Sequence, residues 1–217
     1  MTVATLLSDL APLATTDTVG EALVALAEAR VAHLPVLDPA GRLDSIVTEA
    51  ALQAHPEHSA PLGALVAGEP VVIGLDTHVF DAAHLMRQHG LSVLPVAEGD
   101  ASYAGLVVRA DVFGQLAHML ATEEPGAILV LDVARGDFSL GQVAQIVEQN
   151  GVRILSISTE DDPGGGRVQV TLKLNVTDTA RVRHVLAHYD YHVVAVFDEA
   201  EDDLEDRAAA FLRYLDV

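Results

Sequence analysis

The sequence contains no cysteine, which excludes disulfides and thiol chemistry. It holds one lysine, Lys173, and its 12 basic side chains stand against 32 acidic ones, for a formal charge of −20. A field of that sign repels nucleic-acid phosphates and anionic lipid headgroups, so neither is an expected partner. The longest apolar runs, such as Ala127 to Leu131, fall far short of the roughly 20 residues that a membrane-spanning helix needs. Met1-Thr2-Val3 leads with no basic n-region, so no signal peptide is expected and the expected compartment is the cytoplasm. Also missing are G-x-S-x-G, H-E-x-x-H and a nucleophilic cysteine, and the expectation is a protein that is not an enzyme. Gly164-Gly165-Gly166 lacks the lysine of a phosphate loop and joins two expected strands.

What the chain does contain is one stretch written twice. Val19-Gly20-Glu21-Ala22-Leu23 opens a run that reaches His33-Leu34-Pro35-Val36 and then Ser45-Ile46-Val47-Thr48. Sixty residues on, Val79-Phe80-Asp81-Ala82-Ala83 leads to Val93-Leu94-Pro95-Val96 and then Gly105-Leu106-Val107-Val108. The offset holds without a gap from Val19/Val79 to Ala50/Ala110. A repeat of this kind is one supersecondary unit, too small to bury its apolar face unless its twin covers it.

Taken in order, residues 2–8 suit a short lead-in helix. Thr18 and Glu21 have capping-box spacing and open a helix to about Arg30, with Val19, Leu23, Leu26 and Ala27 as its stripe. Strands follow at 33–37 and 43–47, and Thr48 caps a short helix ending near His55. The second repeat gives a lead-in at 61–67, a helix at 78–89, strands at 92–97 and 103–108, and a helix at 109–121. Glu123-Glu124-Pro125-Gly126 breaks the pattern and marks a boundary. Beyond it come a strand (127–133), a helix (139–149), strands at 152–159 and 167–175, a helix from Asp178 to about Tyr189, and a strand (192–197). That βαββαβ order predicts a ferredoxin-like unit of four antiparallel strands under two helices. An acidic cluster (Glu199, Glu201, Asp202, Asp203, Glu205, Asp206) then precedes Leu204, Ala208, Phe211, Leu212 and Leu215 at helical spacing.

The doubled Leu34-Pro35-Val36 and Leu94-Pro95-Val96, each followed by turn, strand and helix, resemble a CBS-domain pair. The βαββαβ order, with Gly136 between its first strand and first helix, is similar to an ACT domain. Together they resemble CBS–ACT regulatory proteins of the acetoin-utilisation type. The expected fold class is therefore α+β: CBS repeats at 1–60 and 61–122 related by a pseudo-twofold axis, an ACT-like domain at 126–198, and an acidic segment with a closing amphipathic helix at 199–217.

The resemblance implies a non-catalytic ligand sensor, homodimeric, acting on a regulated partner protein and taking AMP, ATP or S-adenosylmethionine in the clefts between repeats. Its local motif is Gly-apolar-apolar-Thr/Ser, two residues, then Asp. A hydroxyl at a helix start suits a phosphate and an acid one turn on suits ribose hydroxyls. Here Ser45-Ile46-Val47-Thr48 keeps the hydroxyl but has Ala51 at the acid position, while Gly105-Leu106-Val107-Val108 lacks the hydroxyl and keeps Asp111. The candidate nucleotide residues are Thr48, Asp111, His33, Val93 and Arg109. Bland roles compete: Thr48 and Asp111 as helix-start caps, His33 as a structural histidine. ACT domains hold amino acids near the first strand–helix loop, which makes Gly136 and Asp137 candidates; the competing role for Gly136 is a turn glycine of positive φ. His184, His188 and His192 have zinc-compatible spacing but fall on the outer face of the helix, so no metal is expected and a metal-dependent enzyme is the remotest alternative. A ligand-free dimerisation scaffold is the nearer one.

Overall fold

The structure is a computed structural model describing residues 1–65, 70–99, 102–162 and 164–197. The chain divides into two compact units, Met1–Leu116 and a second that starts at Ala117.

In chain order the first unit comprises a 3-10 turn (Val3–Leu6), β1 (Leu7–Ser8), β2 (Leu13–Ala14), α1 (Val19–Ala29), β3 (His33–Leu37), β4 (Leu43–Thr48) and α2 (Glu49–Gln53). A 3-10 turn (Leu62–Ala64), α3 (Val79–His89), β5 (Val93–Glu98), β6 (Ser102–Val108) and α4 (Arg109–Met119), whose last residues belong to the second unit, follow. The start of α1 is fixed locally. Thr18 Oγ1 accepts from the Glu21 N–H at 3.3 Å, and the Glu21 carboxylate accepts in return from the Thr18 N–H at 2.8 Å. This is the capping box that the spacing predicts, and those bonds hold the Glu21 carboxyl below its ordinary range. At α3 the cap is His78, whose Nδ1 accepts from the Phe80 N–H at 3.2 Å. Val19, Ala22 and Leu26 of α1, and Val79, Ala82 and Met86 of α3, are buried. Ala22 thus takes the inward place expected of Ala27, which is exposed.

The sixty-residue offset carries into the hydrogen-bond register. β3 faces β4 with His33↔Thr48, Pro35↔Ile46 and Val36↔Ser45, then shifts to Leu37↔Leu43. β5 faces β6 with Val93↔Val108, Pro95↔Leu106 and Val96↔Gly105, then shifts to Ala97↔Tyr103. Leu13 lies parallel to Val36, and Ile73 parallel to Val96. Even the irregularity is duplicated.

The lead-in segments are exchanged between repeats. β1 pairs with β6 (Leu7↔Val107), and the Val3 N–H donates to the Thr77 carbonyl at 2.9 Å. Reciprocally, the Leu62 and Gly63 N–H groups donate to the carbonyls of Asp17 and Thr15, each at 2.8 Å. Leu62 is buried with Val19 and Leu26, while Val3 is buried with Ile73 and Val79. The helix expected over 2–8 is therefore one 3-10 turn and a strand, because β6 claims the backbone of Leu7 and Ser8.

The second unit runs β7 (Ile128–Ala134), α5 (Leu140–Gln149), β8 (Ile154–Asp161), β9 (Arg167–Leu174), α6 (Ala180–His188) and β10 (His192–Phe197). The sheet order is β10-β7-β9-β8, every pair antiparallel. Alternate residues Leu129, Leu131 and Val133 of β7 and Val168, Val170 and Leu172 of β9 form one buried cluster with Val143, Ile146 and Val147 of α5 and Val182 and Leu186 of α6. Both helices therefore cover the same sheet face. Ser156 Oγ donates to the Leu120 carbonyl at 2.7 Å, which ties the residues after α4 to this unit.

Tyr189 is not part of the buried stripe of α6. The helix stops at His188, Asp190 adopts φ 63°, and the chain turns so that Tyr191 enters the core at 1% exposure while Tyr189 is left outside. Asp178 does assist the helix start, Oδ1 accepting from the Ala180 N–H at 3.0 Å. The acidic cluster and amphipathic helix expected over 199–217 lie outside the described residues.

Candidate functional site

The two repeats are joined by a small polar cluster. His33 opens β3, and Ser92 immediately precedes β5. The Ala32 N–H donates to Ser92 Oγ at 3.0 Å, the Ser92 N–H donates to His33 Nδ1 at 3.2 Å, and Ser92 Oγ lies 3.0 Å from the same nitrogen. An Nδ1 that accepts from an amide carries no proton, so the Ser92 hydroxyl donates to it and the neutral ring is protonated at Nε2. Burial pushes the His33 pKa below its ordinary value, and the Arg109 guanidinium adds to that push. Arg109 is fixed here because α4 begins at it, its N–H donating to the Ser92 carbonyl at 2.9 Å. The Glu49 N–H makes the equivalent bond to Ala32 at 2.9 Å.

Beside the cluster lies a cavity of about 360 Å³ lined by Arg30, Val31, Ser92, Val108, Arg109, Ala110 and Phe113. It adjoins a second, of about 320 Å³, that shares Arg109 and Phe113 and adds Arg87, Ala83, Met86, Gly90, Val112 and Leu116. Among the described residues no acidic side chain lines either. The ion pairs among the described residues are Arg42–Asp38, Arg135–Asp161 and Arg167–Asp132, so Arg30, Arg87 and Arg109 enter none of these. Phe113 is 71% exposed, which leaves its ring free at the mouth. Three cations around an apolar wall, in a chain of charge −20, suit an anion with a flat apolar body.

The expected residues divide unequally over this geometry. Arg109 lines both cavities, and His33 touches the first through Ser92. Asp111 is exposed on the first turn of α4 and lines neither, though its neighbour Ala110 lines the first. Thr48 caps α2, its Oγ1 accepting from the Ala51 N–H at 3.1 Å. Val93 is 0% exposed, packs in the core of the first repeat and lines neither cavity. Sequence reasoning missed Arg30, Arg87, Ser92 and Phe113. Ser92 had a signal: it replaces Ala32 at the sixty-residue offset, a polar side chain where the twin has a methyl group.

In the second unit a polar cavity of about 570 Å³ lies between β7, the start of β10 and α5. Asp137 lines it with Asp132, Arg167, Gln142, Tyr191 and His192. Arg167 Nε donates to Asp132 Oδ2 at 2.7 Å, which raises the guanidinium pKa, and Tyr191 Oη donates to Gln142 Oε1 at 2.9 Å. Gly136 does not line this cavity and is not among the residues of positive φ, and open space surrounds the place of a Cβ. Neither a left-handed turn nor close backbone packing explains it. His184 and His188 are exposed on α6, and among the described residues no three His, Asp or Glu side chains gather about a common point.

The CBS-domain family model matches residues 5–55 and 62–118, one match on each repeat. This chain is a CBS-pair protein. The chain is similar to a CBS domain pair/ACT domain protein from Thermotoga maritima, 20% identical, with a TM-score of 0.50 over 55% of this chain and 99% of that one. A Vibrio cholerae protein assigned to acetoin utilisation (AcuB) is likewise 20% identical, with a TM-score of 0.50 over 57% of this chain and 96% of that one. Among curated proteins, inosine-5'-monophosphate dehydrogenase of Mycobacterium leprae is 27% identical over 132 residues, 60% of this chain and 25% of that protein. The Bacillus subtilis protein YtoI is 29% identical over 104 residues, 48% of this chain and 24% of that protein. The CBS-pair protein therefore spans about a quarter of the length of the curated relatives it matches. Among the described residues no helix is long and apolar enough to cross a membrane.

Proposed function

We propose that this CBS-pair protein is a non-catalytic, homodimeric cytoplasmic regulator that binds an adenosine-containing ligand at the Arg109 cavity and passes the signal to a partner protein. The single observation that carries the reading is the collection of Arg30, Arg87 and Arg109 around two adjoining cavities whose described lining holds no acidic residue. That charge favours AMP or ATP over S-adenosylmethionine, whose sulfonium would meet three cations. Asp111, one residue past the cavity-lining Ala110, is the proposed ribose contact. Residues 126–198 form, in this reading, an ACT-like domain serving small-molecule binding or oligomerisation; the βαββαβ order and the cavity beside Asp137 support it. The two repeats would be related by a pseudo-twofold axis, for which the duplicated register is the support.

Isothermal calorimetry with AMP, ATP and S-adenosylmethionine tests the reading. The expected result is binding of AMP or ATP, weakened roughly tenfold to hundredfold by Arg109→Ala or by Asp111→Ala, the usual cost of a lost charge-assisted contact. No heat at millimolar nucleotide from folded protein would leave the ligand-free scaffold as the better account. The split motif, Thr48 without an acid and Asp111 without a hydroxyl, is the observation that favours that alternative.

A further inference from the structure

We propose that the Arg109 cavity is a proton-coupled oxyanion site, in which His33 decides whether Ser92 donates inward to the imidazole or outward to the ligand. The inference rests on reading that cavity as the ligand site and adds its regulation. In the structure Ser92 spends both of its donors on one atom: its N–H and its hydroxyl both face His33 Nδ1, at 3.2 and 3.0 Å. Its oxygen meanwhile accepts from the Ala32 N–H at 3.0 Å. A proton taken from solvent onto Nδ1 reverses this arrangement. Nδ1 becomes a donor, and Ser92 Oγ is the acceptor beside it. That oxygen then accepts twice, from Ala32 and from His33, so its own hydrogen must turn elsewhere.

Ser92 lines the cavity with Arg109, so the released hydroxyl faces the place where an anion would sit. The Ser92 N–H loses its acceptor in the same step. An oxyanion beside Arg109 takes up the freed hydroxyl and neutralises the guanidinium that otherwise opposes a charged imidazole. No proton passes to the ligand; one proton is added to His33. The charged groups on the elements about the ring are Arg30 at the end of α1, Glu49 of α2, and Arg109 and Asp111 of α4. Arg109 opposes a charge on the ring, Asp111 is exposed, and the Glu49 carboxylate accepts from Gln53 Nε2 at 2.8 Å. Thr48, opposite His33 in the strand register, is uncharged. By linkage the anion must tighten proton binding by the factor the proton tightens anion binding, which for one proton is bounded at about tenfold in affinity per pH unit.

The test follows the His33 imidazole by NMR through a pH titration of the full chain with labelled histidines, the resonance assigned by its loss in His33→Gln. Sulfate is the probe, because it stays a dianion across the range, with chloride at matched ionic strength as control. The expected result is a His33 midpoint raised by sulfate by about half a pH unit or more, equivalent to a threefold tighter anion. The rise should vanish in Arg109→Ala, which removes an exposed side chain, and His33→Gln should bind sulfate without pH dependence. Sulfate that shifts the Arg109 side-chain resonances but leaves the His33 midpoint in place would overturn the coupling and keep the site. Sulfate that disturbs neither would overturn the coupling and the reading of the cavity together.

Discussion

His33 is a histidine whose folded pKa lies below its unfolded value. Between those two values the unfolded chain binds more protons than the folded one, so stability rises with pH across that window. Acidification through and below the ordinary histidine range should therefore weaken the first unit, and His33→Gln should flatten that part of the curve; urea midpoints measured across the range check this. Gly126 acts at the same scale in the second unit. Its φ is +146°, and a Cβ there would run into the Leu174 carbonyl. Gly126→Ala should cost on the order of 3 kcal/mol in chemical denaturation, through left-handed strain and a backbone clash that nothing flexible can relieve. Gly136→Ala, by contrast, should stay within about 0.5 kcal/mol, since space is open there and φ is ordinary.

Among the elements, those with their own local signals were legible in the sequence. Thr18 with Glu21 announces α1, Thr48 announces α2, and alternating apolar residues announce β7 and β9. Where tertiary demand overrides local preference the sequence misleads. Residues 7 and 8 become a strand because a partner a hundred residues away claims them. Tyr191 displaces Tyr189 from the core because of one left-handed residue. The site was half legible for the same reason: motif comparison finds Arg109, but Arg30 comes to the cavity from the end of α1 and Phe113 from the second turn of α4, and no local pattern marks either. Thr48→Ala should remove the hydroxyl that receives the Ala51 N–H and cost the first unit about 1 kcal/mol, a loss visible as a lower urea midpoint with the slope unchanged.

In the whole molecule, each repeat borrows its lead-in from the other. Residues 1–60 alone lack Leu62 and the bonds that residues 62 and 63 make to Asp17 and Thr15. They also leave the first cluster without Val93 and Leu106. That fragment should remain unfolded by circular dichroism, while residues 1–122 should fold with a cooperative urea transition. A folded 1–60 fragment would contradict the account of shared cores.

The crossed lead-ins also set an order of events during synthesis. Leu7 emerges from the ribosome 100 positions before its strand partner, Val107. At about 5–20 residues per second the leading arm must wait about 5–20 seconds for that partner. Gly63 brings the second lead-in to Thr15 and Asp17 earlier, but the first core also waits for Val93 and Leu106, so neither half closes fully until β6 arrives.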